Sequence, residues 1–442
     1  MPGRDLDAGR LSALLASLPA LTSIGWLDLR ADLHRRPTAA AVRAFLAGAV
    51  RAMARCSCLQ RLHMRITLLG RLADQLPEGL VRDLASVRSL EDVTLSFAAS
   101  KANRLVWPVD WPPTFSLAHL VEGLAGLPRL RALALMVRDV GMNATLPASV
   151  SRLAQLTSLM LGGFYGLYSV PGWARLPALA RLDYSECVFA GDGEAALPGM
   201  DALVSLTSFQ LWNCPSLRVL PESLWRLTQL RRIHHHTDKG EVTGAARSKL
   251  PVAGLPLRAP CFASMIGLTL AGHNLPAFPL GIFSMARLVY LDLSHSCFEQ
   301  LPEGVSVLTG LQDLHLGRHA AGELEVGGRL DARALGSLAG LPNLRELGFN
   351  NCSVLLCPSF QAASAHPRLE RLHLDTSHPA PGPSFMAFLG FVHALLQRGR
   401  PTMLELTESV VEGAGRLDSR DFRGALRAVG YPLSEAGLLD LV

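Results

Sequence analysis

Lysine is almost missing. Lys101, Lys239 and Lys249 are the only three in 442 residues, so arginine supplies nearly all of the 42 basic side chains. Set against 37 acidic residues they leave a net charge of +5, close to balance, and no block of Lys and Arg stands out. That argues against nucleic acid as a partner held by charge. Aromatic residues make up only 6%, a low share for a β-sandwich core. The eight cysteines show neither a paired framework nor the C-x-x-C spacing of a zinc site, which points to a reducing compartment, the cytoplasm by default. No run of about 18 uncharged apolar residues exists to span a bilayer, so no membrane is expected. The opening stretch MPGRDLDAGRLSALLASLPALTS lacks the unbroken apolar core of a secretory signal. P-loop, H-E-x-x-H and G-x-S-x-G signatures are all missing. Neither an enzyme nor a cofactor is expected.

What is present is leucine at regular spacing. Hydrophobic residues reach 49%, and the unit L-x-x-L-x-x-L-x-L recurs as LPALTSIGWLDL (Leu18 to Leu29), LAQLTSLML (Leu153 to Leu161), MARLVYLDL (Met285 to Leu293), LTGLQDLHL (Leu308 to Leu316) and LPNLRELGF (Leu341 to Phe349). Weaker copies bring the number to about 14. Marked by the first apolar residue of the terminal pair they are Leu27, Leu62, Val93, Leu133, Leu159, Leu182, Phe209, Ile233, Leu268, Leu291, Leu314, Leu347, Leu372 and Leu404. From Leu133 to Ile233 and from Leu268 to Leu314 the steps are about 23 to 27 residues, within the range of stacked-coil repeats. Each L-x-L pair reads as a short strand whose marked residues point inward while those between face out. One coil cannot bury its apolar edge; stacked coils bury a continuous leucine core.

The chain resembles the leucine-rich-repeat superfamily at the position three after the strand pair. There the family carries a buried Asn or Cys that ties one turn to the next. Cys187, Cys214 and Cys352 fill it here, with His273 and Ser296 in two other copies. The segment LDLSHSCFEQLPEGV (Leu291 to Val305) looks like the intracellular plant and Ras-associated type, with Leu291, Leu293, Phe298 and Leu301 in register and Leu-Pro opening the next unit. The resemblance implies an α/β solenoid: a curved parallel sheet on the concave side, helical or irregular segments on the convex side. His235 departs from it by standing where an inward leucine belongs.

Residues 1–407 are expected to form the solenoid, with insertions near 96–115 and 237–260. Residues 408–442 are expected to form a C-terminal helical cap. The tail GRLDSRDFRGALRAVGYPLSEAGLLDLV (Gly415 to Val442) resembles part of an EF-hand, with Gly415, Leu417 and Asp421 at its loop glycine, central apolar position and last ligand. Val410 and Ala414 would occupy two of the five ligand positions, which disfavours calcium and metal binding.

For sites, His234 and His236 should share one strand face about 6–7 Å apart, with His235 turned the other way. In the middle outward column Asp292 and His315 fall on neighbouring strands and should touch. The same column holds His234 and His373; Trp212, Tyr290, Arg181, Arg232 and Arg371 cluster nearby, and aromatic and arginine side chains are the usual anchors of interfaces. Trp107 and Trp111, in the Pro-rich first insertion, offer a second contact surface or a plug for a coil edge. The expected function is that of a non-enzymatic scaffold or adaptor, a monomer, binding a protein partner on the concave face. The alternatives are the recognition part of a ubiquitin-ligase or signalling assembly and a structural component of a large complex such as a ciliary axoneme.

Overall fold

A computed structural model describes residues 25–33, 39–56, 58–68, 84–99, 117–138, 143–145, 148–168, 176–217, 219–237, 255–273, 275–296, 301–318, 337–350, 368–375 and 403–407. The chain divides into two units, Met1–Leu230 and Arg231–Val442.

Unit 1 carries the strands β1 (Trp26–Leu33), β2 (Arg61–Leu68), β3 (Asp92–Ala99), β4 (Ala132–Arg138), β5 (Asn143–Thr145), β6 (Ser158–Gly162), β7 (Tyr165–Tyr168), β8 (Arg181–Ser185), β9 (Val188–Phe189) and β10 (Ser208–Trp212). Seven of them form a parallel sheet in the order β1-β2-β3-β4-β6-β8-β10, and the short β5, β7 and β9 form a second parallel sheet. Unit 2 carries β11 (Arg232–His236), β12 (Gly267–Ala271), β13 (Tyr290–Ser296), β14 (Asp313–Arg318), β15 (Glu346–Asn350), β16 (Arg371–Asp375) and β17 (Met403–Thr407), parallel and in chain order.

The leucine spacing sets the register. Leu27 stands opposite Leu62, Leu62 opposite Val93, Val93 opposite Leu133, Leu133 opposite Leu159, Leu159 opposite Leu182 and Leu182 opposite Phe209. In unit 2 the column Ile233, Leu268, Leu291, Leu314, Leu347, Leu372, Leu404 is likewise unbroken. A one-residue slip would turn every inward side chain to solvent, so burial itself holds the pairing. In the copy Leu153 to Leu161 the four leucines Leu153, Leu156, Leu159 and Leu161 are all buried. This is the leucine-rich-repeat fold.

Backbone bonds just before the strands tie coil to coil. Thr157 and Ser158 both donate to Arg131 O, and Ala180 and Arg181 both donate to Thr157 O. The same pair of bonds runs from Ile266 and Gly267 to Arg231 O, and from Val289 and Tyr290 to Ile266 O. On the return side, the described residues of unit 1 include two α-helices, α1 (Ala39–Ala54) and α2 (Leu117–Leu124). Other described coils use short 3-10 turns instead. Pro221, Pro279 and Pro302 each precede one, at Glu222–Arg226, Leu280–Ser284 and Glu303–Val307. A proline fixes φ and lacks the N–H that the first turn would leave unbonded, which explains the recurring Leu-Pro.

The residues after the strands behave as the resemblance implied. Cys187 Sγ donates to Leu161 O and Ser185 O, both at 3.4 Å, and Cys214 Sγ to Tyr184 O (3.8 Å) and Trp212 O (3.5 Å). Ser296 and His273 are buried at the same position. One residue earlier the backbone turns left-handed, at Gly163, Glu186, Asn213 and Gly272 (φ 74°, 54°, 50° and 84°). At Gly272 a Cβ would run into the Thr237 carbonyl oxygen.

Two boundaries shift. Ser96 to Ala99 are not loop but the end of β3, with Ser96 and Phe97 buried. Thr237 is likewise buried, its N–H donating to Ala271 O. Residues 100–116 and 238–254 lie outside the described residues, as do Trp107, Trp111, Cys352, the first 24 residues and the whole tail 408–442.

Candidate functional site

Each strand gives alternate side chains to the core and to the opposite face. Arg181 on β8 and Trp212 on β10 are exposed on the outward face of unit 1, and Arg181 Nε lies 3.9 Å from Asp183 Oδ2. In unit 2 Arg232 and Arg371 are exposed, while His234, Tyr290, Asp292, His315 and His373 are half-buried on the outward face.

The outward face of β13 to β16 gathers these residues around an acid that sequence reasoning passed over. Glu346 Oε1 lies 3.3 Å from His315 Nε2 and 3.0 Å from His373 Nε2, and its Oε2 accepts from Arg371 Nη1 at 3.2 Å. The expected couple of Asp292 and His315 is corrected accordingly. The two residues are neighbours in register, but the His315 ring reaches forward to Glu346, and Asp292 Oδ1 accepts the Ser294 N–H (2.9 Å). The rings form a file, Tyr290 to His315 at 5.7 Å between centroids and His315 to His373 at 5.8 Å.

Glycine makes that file possible. His315, Gly348 and His373 are successive residues of one outward column, and a Cβ on Gly348 would collide with His315 Nδ1. The imidazole therefore lies over bare backbone. Gly267 on β12 differs, since a Cβ there would make only ordinary contact, 3.5 Å from Arg232 Cγ and 4.0 Å from Tyr290 Cβ. All five residues of β12 are buried.

Charge follows the packing. Burial, then the Asp292 carboxylate, holds the Tyr290 phenol above its usual range, against a hydrogen bond with Thr269. Burial and the nearby Glu346 raise the Asp313 carboxyl. His234 and His236 stack with centroids 6.1 Å apart, on the shared face that alternation requires. Burial and the His236 ring lower the His234 pKa, so His234 is neutral at pH 7. Among the described residues no three His, Cys, Asp or Glu side chains are arranged to hold a metal ion, and no helix is long and apolar enough to cross a membrane.

Glu346, Asp313 and Gly348 were readable in principle. Glu346 and Asp313 immediately precede inward leucines, in the same column as Tyr290 and Arg371. A search confined to the middle column for acids misses that one. Gly348 was in the middle column, but a gap signals a site only once the neighbouring ring is seen to fill it.

The sequence matches no protein-family model. No curated protein matches it either. Among solved structures it is similar to a leucine-rich-repeat protein of Leptospira interrogans (17% identity, TM-score 0.43, covering 94% of this chain and 97% of that one). It is also similar to TLR13 in complex with a single-stranded RNA (17%, 0.43, 81% and 44%) and to an internalin of Listeria monocytogenes (13%, 0.37, 84% and 95%).

Proposed function

We propose that this leucine-rich-repeat chain is a cytoplasmic, non-enzymatic scaffold that binds a protein partner through the outward face of its strands. The anchors are Tyr290, Asp292, His315, Arg371 and His373 in unit 2, joined by Arg232 and His234, with Arg181 and Trp212 on unit 1. One observation carries the reading: Glu346 holds the half-buried His315 and His373 and the exposed Arg371 in one group, and that group lies beside Tyr290. Side chains fixed before binding lose little conformational entropy on binding. An aromatic ring and an arginine at the centre of such a patch are the residue types that dominate interface energies. The buried thiols of Cys187 and Cys214 serve as hydrogen-bond donors in the coil turns, a use that suits a reducing compartment.

Affinity capture with mass spectrometry tests this, comparing the wild type with Tyr290→Ala/Arg371→Ala after circular dichroism has shown both to be folded. Selective loss of a protein from the variant supports the assignment. Identical partner sets overturn it.

A further inference from the structure

Asp183 is the middle outward residue of β8, set in register between Met160 of β6 and Gln210 of β10. Only 17% of its side chain is exposed. Oδ1 is closed off from solvent and has no hydrogen-bond partner among the described residues. Oδ2 lies 3.9 Å from Arg181 Nε, beyond hydrogen-bond length. Burial, opposed by the Arg181 charge, pushes the carboxyl up to about 6. At neutral pH it is therefore an anion without the donors that a covered carboxylate needs. Met160 offers no donor, and the Gln210 amide nitrogen turns to Ser208 Oγ at 3.4 Å.

Trp212 stands one strand over and two residues along, opposite Ser185, and is 41% exposed. The strand spacing and rise place it about 8 Å from Asp183 along the diagonal. That distance suits a flat cation that stacks on the indole and bonds to the carboxylate with its edge. Arginine meets both demands, being planar with five donors in a fork, whereas lysine offers a compact charge with no face to stack.

We propose that Asp183 and Trp212 form a seat for one arginine side chain of the protein partner, the guanidinium bonding to the carboxylate while its face lies on the indole. The proposal rests on the reading that the outward face engages a protein, and it adds the chemistry of one contact. The guanidinium bonds to Oδ2, the oxygen that faces Arg181. Arg181, whose side chain is 54% exposed, gives way to solvent.

The test titrates the full-length protein with the peptide acetyl-Gly-Arg-Gly-amide and with its citrulline counterpart, which keeps the shape and loses the charge. The Trp212 indole N–H resonance is followed. The arginine peptide shifts it saturably, the citrulline peptide binds at least tenfold more weakly, and Asp183→Asn removes the difference while the protein stays folded. Equal binding of the two peptides, or undiminished arginine binding by Asp183→Asn, overturns the seat. The captured partner separates the two ideas. If Tyr290→Ala/Arg371→Ala loses it and Asp183→Asn keeps it at full affinity, the seat is wrong and the outward-face reading stands. If neither variant loses it, both fall.

Discussion

Replacing His235 with leucine tests how the core of unit 2 tolerates acid. His235 and His273 are both fully buried, their rings 3.9 Å apart between centroids, with His273 Nε2 3.2 Å from His235 O. Among the described residues neither ring nitrogen of His235 has a hydrogen-bond partner. Burial, together with the neighbouring imidazoles, drives the His235 pKa well below its usual value, and burial pushes His273 down to about 3. In the unfolded chain both protonate near 6.5. Between those limits the unfolded state binds protons that the folded state refuses, so stability is present above about pH 6.5 and is lost as pH falls toward 3. At pH 5 the loss through His273 is about 2 kcal/mol, 1.5 pH units at 1.36 kcal/mol each, and His235 adds to it in the same direction.

His235→Leu restores the inward leucine of the repeat and removes one of the two titrations. At pH 7.5 it should stabilise the unit by about 1–3 kcal/mol, the cost of two unbonded buried nitrogens. Between pH 7.5 and 5 its acid loss should be smaller than that of the wild type, with the His273 share of about 2 kcal/mol remaining. Hydrogen exchange at β11 and β12, read at pH 5, 6 and 7.5 and corrected for intrinsic rates, measures the opening free energy of this region. Titrations elsewhere are common to both proteins and cancel. Parallel pH curves for the wild type and His235→Leu would refute the reasoning.

Other predictions follow from local geometry. Gly348→Ala should displace the His315 ring from Glu346 and weaken partner binding more than tenfold, with a stability cost of about 1–3 kcal/mol, checked by isothermal titration and urea unfolding. Gly272→Ala should destabilise by more than about 2 kcal/mol in urea, because it combines a left-handed φ of 84° with a collision against Thr237. Glu186→Gly should raise the urea midpoint, recovering about 1 kcal/mol of left-handed strain at φ 54°. Glu194→Gln should cost about 1–2 kcal/mol. The carboxylate accepts from Gly199 N (2.9 Å), Ser223 N (3.1 Å) and Ser223 Oγ (2.8 Å), and an amide nitrogen in one of those places accepts nothing.

The strands were legible because their signal is short-range and repeated. An inward residue every second place, preceded by leucines at three-residue steps, leaves a strand one way to bury itself, and each of the fourteen marked residues lies on a strand. The ladder at Cys187 and Cys214 was legible for the same reason: the repeat fixes a turn at a constant offset, and a turn needs donors for its carbonyls. The convex side was less so. Whether a coil returns through α1, sixteen residues long, or through a five-residue 3-10 turn depends on the length between strands, which varies where the strand motif does not.

Site chemistry fails to show in the sequence for a different reason. The outward face is a two-dimensional lattice, with side chains about 4.8 Å apart across strands and about 6.6 Å apart along them, and a long side chain reaches diagonally as easily as across. Reading one column finds Asp292 beside His315 and stops there. Glu346 belongs to a different column and the next strand, yet it captures His315 because Gly348 leaves the diagonal open. What decides between two carboxylates is therefore the absence of a side chain at a third position. On such a face a glycine between two polar residues carries as much information as the polar residues themselves.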